Sequence, residues 1–426
     1  MNRNLIKQIR NEWRENLWLC IELLIVSVAV WALSLFLYSN LRPTFEEKGY
    51  DITDVYRINI NTIDPASPEY IKGEDELAQK ANDIRVLLAR IRKSPNVELA
   101  GLSRNALPYQ FSYFGNKINF KGLPDTIVYH GNVRQGSAEM ARILRFRSKD
   151  GKTPEELEEI LRRDEFLIAD APSWYIVGNK DLKITDAKSL IGLQAYQGDS
   201  TFTHRIGGVI ASLKRNEYEL RGGDIFVVMP EDNDESVNGS FEIAILVKAG
   251  MGKKFEDEFY SNPDMRRMRN VYLTQLTAMN NARTANQHHR DTEVRLSISG
   301  VVFLLLIIFL GLLGTFWFRI RQRTGEIALR KTCGATSSDV FRRIVSEGLL
   351  LLLFISIPAL IADGLLTHYL MREYSLSMTD YHFSWIPAGI AYLIAMALMV
   401  IMIIIGVWFP ARQAMKIEPA IALKDE

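Results

Sequence analysis

Residues 319–343 read RIRQRTGEIALRKTCGATSSDVFRR and lie between two long apolar runs of the 426-residue sequence. The segment holds seven arginine and lysine side chains but only two acidic ones, Glu326 and Asp339. Short, strongly basic loops between two membrane spans stay on the cytoplasmic side. We therefore predict a cytoplasmic loop at residues 319–343, which we call the basic loop.

The residue spacing within the basic loop predicts two helices joined by a turn. Glu326 and Arg330 stand four residues apart, in the order that favours an ion pair on a helix surface. Gly334 suits the left-handed position that follows a helix, and Thr336 with Asp339 gives the pattern of a capping box. A folded loop of this kind is suited to docking a cytoplasmic partner.

Four apolar runs predict four transmembrane helices, because about 20 apolar residues cross the roughly 30 Å hydrocarbon core. The predicted fold class is a membrane protein with four transmembrane helices plus a large α+β extracytoplasmic domain between the first and the second. The predicted segments are a cytoplasmic amphipathic N-terminal helix (1–16), the first span (17–39), the extracytoplasmic domain (40–274), a stalk helix continuing into the second span (275–318), the basic loop (319–343), the third span (344–370), a short outer loop (371–385), the fourth span (386–409) and a cytoplasmic tail (410–426). For residues 1–16, a disordered basic flank stays open as the alternative.

The polar middle of the sequence alternates strand and helix patterns, which favours an α+β domain. Thr153, Pro154 and Glu156 give a capping box with proline in the first turn of a helix. Strands are predicted at 54–60, 97–102, 109–120 (with a turn at 115–116), 166–169, 206–213, 225–229 and 241–247, and helices at 75–92 and 153–163. From Met265 onward one long polar helix is predicted, and its part at 275–318 would measure about 65 Å at about 1.5 Å per residue.

Ionisable residues are scarce deep in the predicted spans. Glu22 lies about one turn from a cytoplasmic end, where a polar partner would satisfy it, and a functional role inside the membrane is the alternative. Asp363 and His368 lie toward the outer end of the third span, where water or each other would satisfy them, with a proton relay as the alternative. Pro358 is expected to kink the third span, and Pro410 to end the fourth.

Composition and motifs argue against several function classes. The net charge of +1 gives no signal for nucleic acid, and the sequence has no G-x-x-x-x-G-K-[ST] motif for binding ATP. Cys20 and Cys333 offer neither a disulfide framework nor a metal cluster. His288 and His289, adjacent on a helix, would point about 100° apart, which disfavours a shared metal. No catalytic residue, cofactor or metal is predicted.

Two motifs stand at matching places in the layout. The first is in the basic loop and continues into the third span at Glu347; its residues are Arg323, Thr324, Glu326, Ile327, Leu329, Arg330, Lys331, Gly334, Ala335 and Thr336. The second is C-terminal and consists of Pro410, Ala411, Arg412, Ala414, Pro419, Ala422 and Leu423. With one span, a large outer domain and three further spans, the chain resembles the MacB/FtsX/LolC-E (type VII) ABC transporter permeases. The layout is most similar to a MacB-like permease without a fused ATPase. Gly325, Ala328 and Cys333 depart from the family, which commonly has a basic residue, a glycine and an aliphatic residue there.

The resemblance implies a permease subunit rather than an enzyme, with ATP hydrolysis on a separate ABC ATPase subunit. It also implies a second permease copy, identical or different, and transmission of ATPase motion to the outer domain (mechanotransmission). The residues that it assigns to ATPase coupling are Glu326, Ile327, Leu329, Arg330, Lys331, Gly334 and Ala335. Arg330 and Lys331 would face acidic residues of the ATPase, and Ile327 and Leu329 would fill its apolar pockets. The alternative is a basic cluster that only fixes topology.

The function expected from the resemblance is export of peptides or amphiphilic compounds, together with a periplasmic adaptor and an outer-membrane channel. Lipoprotein release from the inner membrane and an FtsX-like non-transporting signal relay are the alternatives. The expected location is the bacterial inner membrane, with both termini cytoplasmic and the large domain in the periplasm. Membrane lipid is an expected partner, and nucleic acid is not.

Overall fold

The computed structural model of the protein describes residues 13–110, 114–124, 127–170, 176–177, 186–196, 203–219, 221–374 and 385–414. The chain divides into two compact units. One is a domain of residues Pro43–Asp291, and the other combines Met1–Arg42 with Thr292–Glu426 and holds the apolar helices. Most of the predicted N-terminal helix and the last part of the C-terminal motif, from residue 415 onward, lie outside the described residues.

The elements are numbered in chain order over the described residues. The helices are α1 (Trp13–Leu41), α2 (Glu76–Arg92), α3 (Met140–Ile143), α4 (Pro154–Arg162), α5 (Asp234–Asn238), α6 (Gly252–Ser261), α7 (Met279–Gln322), α8 (Thr324–Thr332), α9 (Ser337–Tyr374) and α10 (Trp385–Ala414). The strands are β1 (Val55–Thr62), β2 (Val97–Arg104), β3 (Gly115–Phe120), β4 (Val128–Gly136), β5 (Phe166–Ala169), β6 (Ile176–Val177), β7 (Gln194–Tyr196), β8 (His204–Ile210), β9 (Asp224–Val228), β10 (Glu242–Val247), β11 (Arg267–Met268) and β12 (Val271–Ala278).

Helices α1, α7, α9 and α10 are long and apolar enough to cross a membrane. Their buried side chains form one apolar cluster, and a few polar groups inside it are hydrogen-bonded. The Trp31 indole N–H donates to the Ala388 carbonyl over 3.2 Å, which joins α1 to α10. Tyr392 donates to the Ser356 carbonyl over 3.0 Å, which joins α10 to α9. Each bond removes the cost of a polar group in an apolar interior.

The ionisable residues in these helices differ in how they are placed. Glu22 accepts a 2.8 Å hydrogen bond from the Thr315 hydroxyl, so a polar partner on α7 satisfies one of its oxygens. Asp363 is only 3% exposed, whereas His368, five residues on, is exposed. At about 100° per residue, five residues separate the two side chains by about 140° around the helix axis, so they lie on different faces. The arrangement therefore gives no support to a relay between Asp363 and His368.

In the domain, one half is an antiparallel sheet in the order β11-β12-β1-β10-β2. Helices α2 and α6 contribute the apolar side chains that cover it, including Ile84, Leu87 and Phe255. Asp75 caps α2 by accepting a hydrogen bond from the Ala78 N–H over 3.0 Å, which satisfies one of the helix's free donors.

The other half closes on itself, because strand pairing runs β4-β3-β7-β8-β5-β9 and returns to β4. The pairs β4–β9 and β5–β8 are parallel and the others in this ring are antiparallel. Its core includes Ile118, Tyr129, Ile168 and Val209. A closed ring leaves no free edge along its path for pairing with another chain.

The predicted long helix from Met265 is wrong over its first part. Residues 267–278 form the hairpin β11–β12, and β12 pairs with β1. Val271 and Leu273 alternate along β12 and are buried against the sheet, and this burial outweighs the helical propensity of the polar residues between them. The helix begins at Met279, so the predicted boundary at 274/275 falls inside a strand.

Two further local predictions are corrected. The pair Gly115 and Asn116 opens strand β3 and faces Asn132 and Gly131 of β4, so it is not a turn. Helix α10 continues past Pro410 to Ala414, because a proline removes one backbone hydrogen bond without always ending a helix. Strands β4, β6, β11 and β12 are not among the predicted strands. A strand paired on both sides, as β4 is, needs no polar alternation.

Glu242 gives the domain a predicted pH dependence. Its side chain is 4% exposed, and burial raises the pKa of this carboxyl to about 7, although Ser103 and Gln110 donate hydrogen bonds to its charged form. Because the pKa of this carboxyl is higher in the folded chain than in the unfolded chain, the folded state loses stability as the pH rises from about 4.5 to about 7.

We expect Glu242→Gln to raise the hydrogen-exchange protection of the β10 amides by about 100-fold at pH 8 but only a few-fold at pH 5. The amide cannot ionise, so the variant avoids the cost of a buried charge. Protection factors corrected for intrinsic exchange are the measurement. An equal effect at both pH values would contradict the assignment.

Candidate functional site

The end of α8 has a fixed geometry. The Gly334 N–H donates to the Lys331 carbonyl and the Ala335 N–H donates to the Arg330 carbonyl, each over 3.1 Å. Gly334 has φ +95°, which a residue with a Cβ rarely adopts. These two bonds are the Schellman motif, so the helix ends at the residue that the sequence predicted.

The start of α9 is fixed as well. The Thr336 N–H donates to Asp339 Oδ2 over 3.1 Å, and the Asp339 N–H donates to Thr336 Oγ1 over 3.2 Å. This reciprocal pair is the predicted capping box. Only Gly334, Ala335 and Thr336 lie beyond the α8 C-cap and before α9, so little freedom remains between the two helices.

Helix α8 is held to its neighbours by its apolar side. Ile327 is 7% exposed and packs in a cluster with Ile320, Val340 and Ile344 of α7 and α9. Ala328 is fully buried. The sequence assigned Ile327 to an apolar pocket of a partner, but its burial within this chain leaves it almost no surface to offer. Ile327 instead fixes the helix in place.

The remaining predicted residues lie together on α8 and the turn after it. Leu329 is 56% exposed. Arg330 and Lys331 are half-buried in the last turn, where positive charge is favoured by the helix dipole. Arg330 Nε lies 3.1 Å from Glu326 Oε1, which is the predicted i,i+4 pair. Gly334 is exposed and Ala335 half-buried, so the turn itself borders solvent.

An ion pair that the sequence did not predict closes the base of this segment. Arg323 Nη1 lies 2.9 and 3.1 Å from the two carboxylate oxygens of Glu347, and both side chains are largely buried. The pair joins Arg323, the residue between α7 and α8, to the third turn of α9. Their separation of 24 residues gives no periodic signal, which is why local spacing could not find it.

A groove with a cavity volume of about 60 Å³ lies beside α8 and opens to its surroundings. It is lined by Leu19, Phe316, Ile320, Arg323, Glu326, Ile327, Arg330, Val340, Arg343, Ile344, Glu347, Gly348 and Leu351. These residues come from α1, α7, α8 and α9 and from Arg323. The groove thus combines an apolar wall with a cluster of charges.

The N-terminal turns of α7 belong to the domain and are fixed within it. Met279 is fully buried in an apolar cluster of the domain, and Ala282 packs against that cluster. Arg283 Nε lies 2.7 Å from Glu217 Oε1, and the Tyr218 hydroxyl donates to Asp291. These contacts hold three turns of the helix, a feature that the predicted stalk did not include.

Glu217 also contacts the segment that follows the first span. Lys48 Nζ forms an ion pair with Glu217 Oε1, and the Tyr109 hydroxyl donates to the same atom over 3.1 Å. Next to it, burial lowers the pKa of Lys214, whose ammonium donates to the Pro43 carbonyl. The loop between β8 and β9 therefore contacts both the first and the last segments of the domain.

Residues 298–419 match the family model described as FtsX-like permease C-terminal. This part of the chain is an FtsX-like permease domain. The FtsX-like permease domain includes α8, the capped turn and the Arg323–Glu347 pair. For these residues, the resemblance to FtsX-like permeases inferred from the sequence is confirmed. No curated protein matches the chain.

Several solved structures are similar to parts of the chain. A domain of a Porphyromonas gingivalis protein with a permease assignment has a TM-score of 0.31 and 14% identity, covering 55% of this chain and 94% of that one. The periplasmic region of MacB from Actinobacillus actinomycetemcomitans has a TM-score of 0.30 and 10% identity, covering 60% and 97%. The extracellular domain of the noncanonic ABC-type transporter YknZ from Gram-positive bacteria has a TM-score of 0.29 and 9% identity, covering 51% and 100%.

The four apolar helices and the FtsX-like permease domain give the chain its class. It is a multi-pass membrane protein with a large α+β domain between its first two spans.

Gly334→Ala tests the geometry of the capped turn in the FtsX-like permease domain. A Cβ in the left-handed region costs about 1–2 kcal/mol, so we expect hydrogen exchange at residues 330–336 to become roughly five- to 30-fold faster. The control is Gly311→Ala in α7, where a Cβ meets open space and the backbone is helical. If Gly334→Ala exchanges like the wild type, the motif does not fix this turn.

Proposed function

We propose that the chain is the permease subunit of an ABC transporter and transmits motion of a separate ATPase to its extracytoplasmic domain. A separate ATPase is needed because the sequence has no P-loop. The ATPase binds at α8, and α7 carries the motion to the domain. We further propose that two permease copies assemble with the ATPases, as the family resemblance implies.

The geometry of α8 supports its role as the docking helix. Its apolar side is occupied within the chain by Ile327 and Ala328, so the partner meets the opposite side. That side presents Leu329 as an apolar contact. Arg330 and Lys331 are half-buried beside the packed side of the helix and add positive charge at its edges. Both ends of the helix are fixed, so force applied to α8 passes to its neighbours instead of being lost in a mobile loop.

The single observation that carries the proposal is the helix α7. It runs from Met279 to Gln322, 44 residues or about 66 Å, which exceeds the hydrocarbon thickness by about a factor of two. Its first turns are packed and ion-paired within the domain through Met279 and Arg283. At its other end, only Arg323 separates it from α8. One element thus connects the proposed input with the proposed output.

The orientation that we propose follows from charge. The basic loop at residues 319–343 lies in the cytoplasm by the positive-inside rule, and with four spans both termini lie there too. The family resemblance supports the inner membrane of a bacterial cell as the location. We propose peptides or amphiphilic compounds as the exported class, with a periplasmic adaptor and an outer-membrane channel. This choice rests on the MacB-like layout of the chain.

Leu329→Ala tests the docking surface. An exposed apolar anchor at an interface contributes about 1–2 kcal/mol, so we expect the affinity for the partner ATPase to fall about tenfold. Leu296→Ala is the matched control, since Leu296 is also an exposed leucine but lies at the start of the apolar part of α7. The measurement is binding of the ATPase to the purified permease. If Leu329→Ala and the wild type bind the ATPase with equal affinity, Leu329 does not belong to the interface.

A break in α7 tests transmission. Val294 and Ser297 follow Asp291, the last residue of the domain, and lie where the polar part of α7 passes into its apolar part. We expect Val294→Pro with Ser297→Pro to leave ATPase binding intact, because α8 is untouched. The same variant should abolish any ATP-dependent change in hydrogen exchange at residues 211–219 and 279–291. The control is Val294→Ala with Ser297→Ala. A nucleotide-dependent change that persists in the proline variant would refute transmission through α7.

A further inference from the structure

The groove beside α8 has two chemically different walls. Leu19 of α1, Phe316 of α7 and Leu351 of α9 form an apolar wall contributed by three membrane helices. Charged side chains from the α8 region form the other wall. A ligand that fills the groove must therefore be apolar along one part and polar or charged at another.

The charged wall carries a net positive charge. It holds three arginines and two glutamates, which gives 3 − 2 = +1, and these residues are Arg323, Arg330, Arg343, Glu326 and Glu347. The two glutamates are engaged by Arg323 and Arg330. The net positive charge of this wall favours a ligand with an anionic group over a cationic or a neutral ligand.

The groove also spans the change from polar to apolar sequence. Helix α9 begins at Ser337 with exposed residues around Asp339. About four turns later it reaches Leu350 and Leu351, which are buried in the apolar cluster of the membrane helices. A free inorganic anion would contact the arginines but leave the apolar wall uncovered, which is unfavourable for apolar surface.

We propose that this groove binds an anionic phospholipid from the leaflet on the side of the basic loop. The phosphate lies against Arg330 and Arg343, and an acyl chain lies along Leu19, Phe316 and Leu351. Basic pockets between membrane helices on the cytoplasmic side bind acidic head groups by the same chemistry. Membrane lipid thus acts as a specific ligand of this chain in addition to being its solvent.

The bound lipid connects α8 to the membrane helices. Arg330 belongs to α8, Arg343 to α9 and Leu19 to α1, so one lipid molecule contacts three elements that meet at the groove. Occupancy consequently restricts the position of α8. The inference goes beyond the proposed function, because it requires no ATPase and concerns the permease chain alone.

The test uses the purified full chain in a neutral detergent, titrated with phosphatidylglycerol, phosphatidylcholine or inorganic phosphate. Bound lipid is counted by native mass spectrometry, and hydrogen exchange of α8 reports its effect on the helix. We expect phosphatidylglycerol to bind at least tenfold more tightly than phosphatidylcholine and to slow exchange in α8. Inorganic phosphate alone should do neither at the same concentration.

Adjacent arginines supply a matched pair of variants. Arg343 lines the groove, whereas Arg342 is exposed and does not. We expect Arg343→Gln to weaken phosphatidylglycerol binding about fivefold or more, Arg342→Gln to leave it unchanged, and Arg343→Lys to retain most of it. Because Arg342→Gln removes the same charge one residue away, it separates the groove from the general charge of the surface.

Three results would overturn the proposal. Equal losses in Arg342→Gln and Arg343→Gln would show attraction to the whole basic surface. Equal binding of phosphatidylcholine would show that only the acyl chain is recognised. Protection of α8 by inorganic phosphate alone would show a phosphate site without a lipid. Since no ATPase is present, none of these results bears on the docking of a partner to Leu329.

Discussion

The structure around the basic loop depends on how the ends of three consecutive helices satisfy their backbone hydrogen bonds. Helices α7, α8 and α9 follow one another with Arg323 and then residues 333–336 between them. Each helix end leaves several backbone groups without an intrahelical partner. The Schellman bonds at Gly334 and the capping box at Thr336 supply partners at one junction, and Arg323 with Glu347 adds an ion pair near the other. A loop built from such contacts is fixed at both of its helix junctions.

The extracytoplasmic domain is built on a different constraint, the need to leave few free strand edges. One half is an open antiparallel sheet covered by α2 and α6, and the other half closes through the parallel pair β4–β9. Strand β4 belongs to both halves, because it pairs with β2 as well as with β3 and β9. The two halves therefore share a continuous network of backbone hydrogen bonds.

Local signals in the sequence predicted those features whose causes are local. The four spans, the capping boxes at Thr153 and Thr336, the ending of α8 at Gly334 and the strand at 166–169 all depend on residues within a few positions of each other. The fold class follows from the same signals. Features that depend on distant partners were missed or wrong. Strand β12 is held by β1, more than 200 residues away, and Ile327 is buried by side chains from α7 and α9. Neither partner can be identified from spacing along the chain.

The ion pairs of Glu217 show how the two ends of the domain are arranged. A single carboxylate oxygen contacts both Lys48, a few residues after the domain begins, and Arg283, a few residues before it ends. The first and last segments of the domain are therefore close together, as in domains that tolerate insertion into another fold. A different domain with neighbouring ends could occupy the same place between the first and second spans without a change in the four membrane helices. The domain is in this sense exchangeable, because its replacement need not alter the membrane helices.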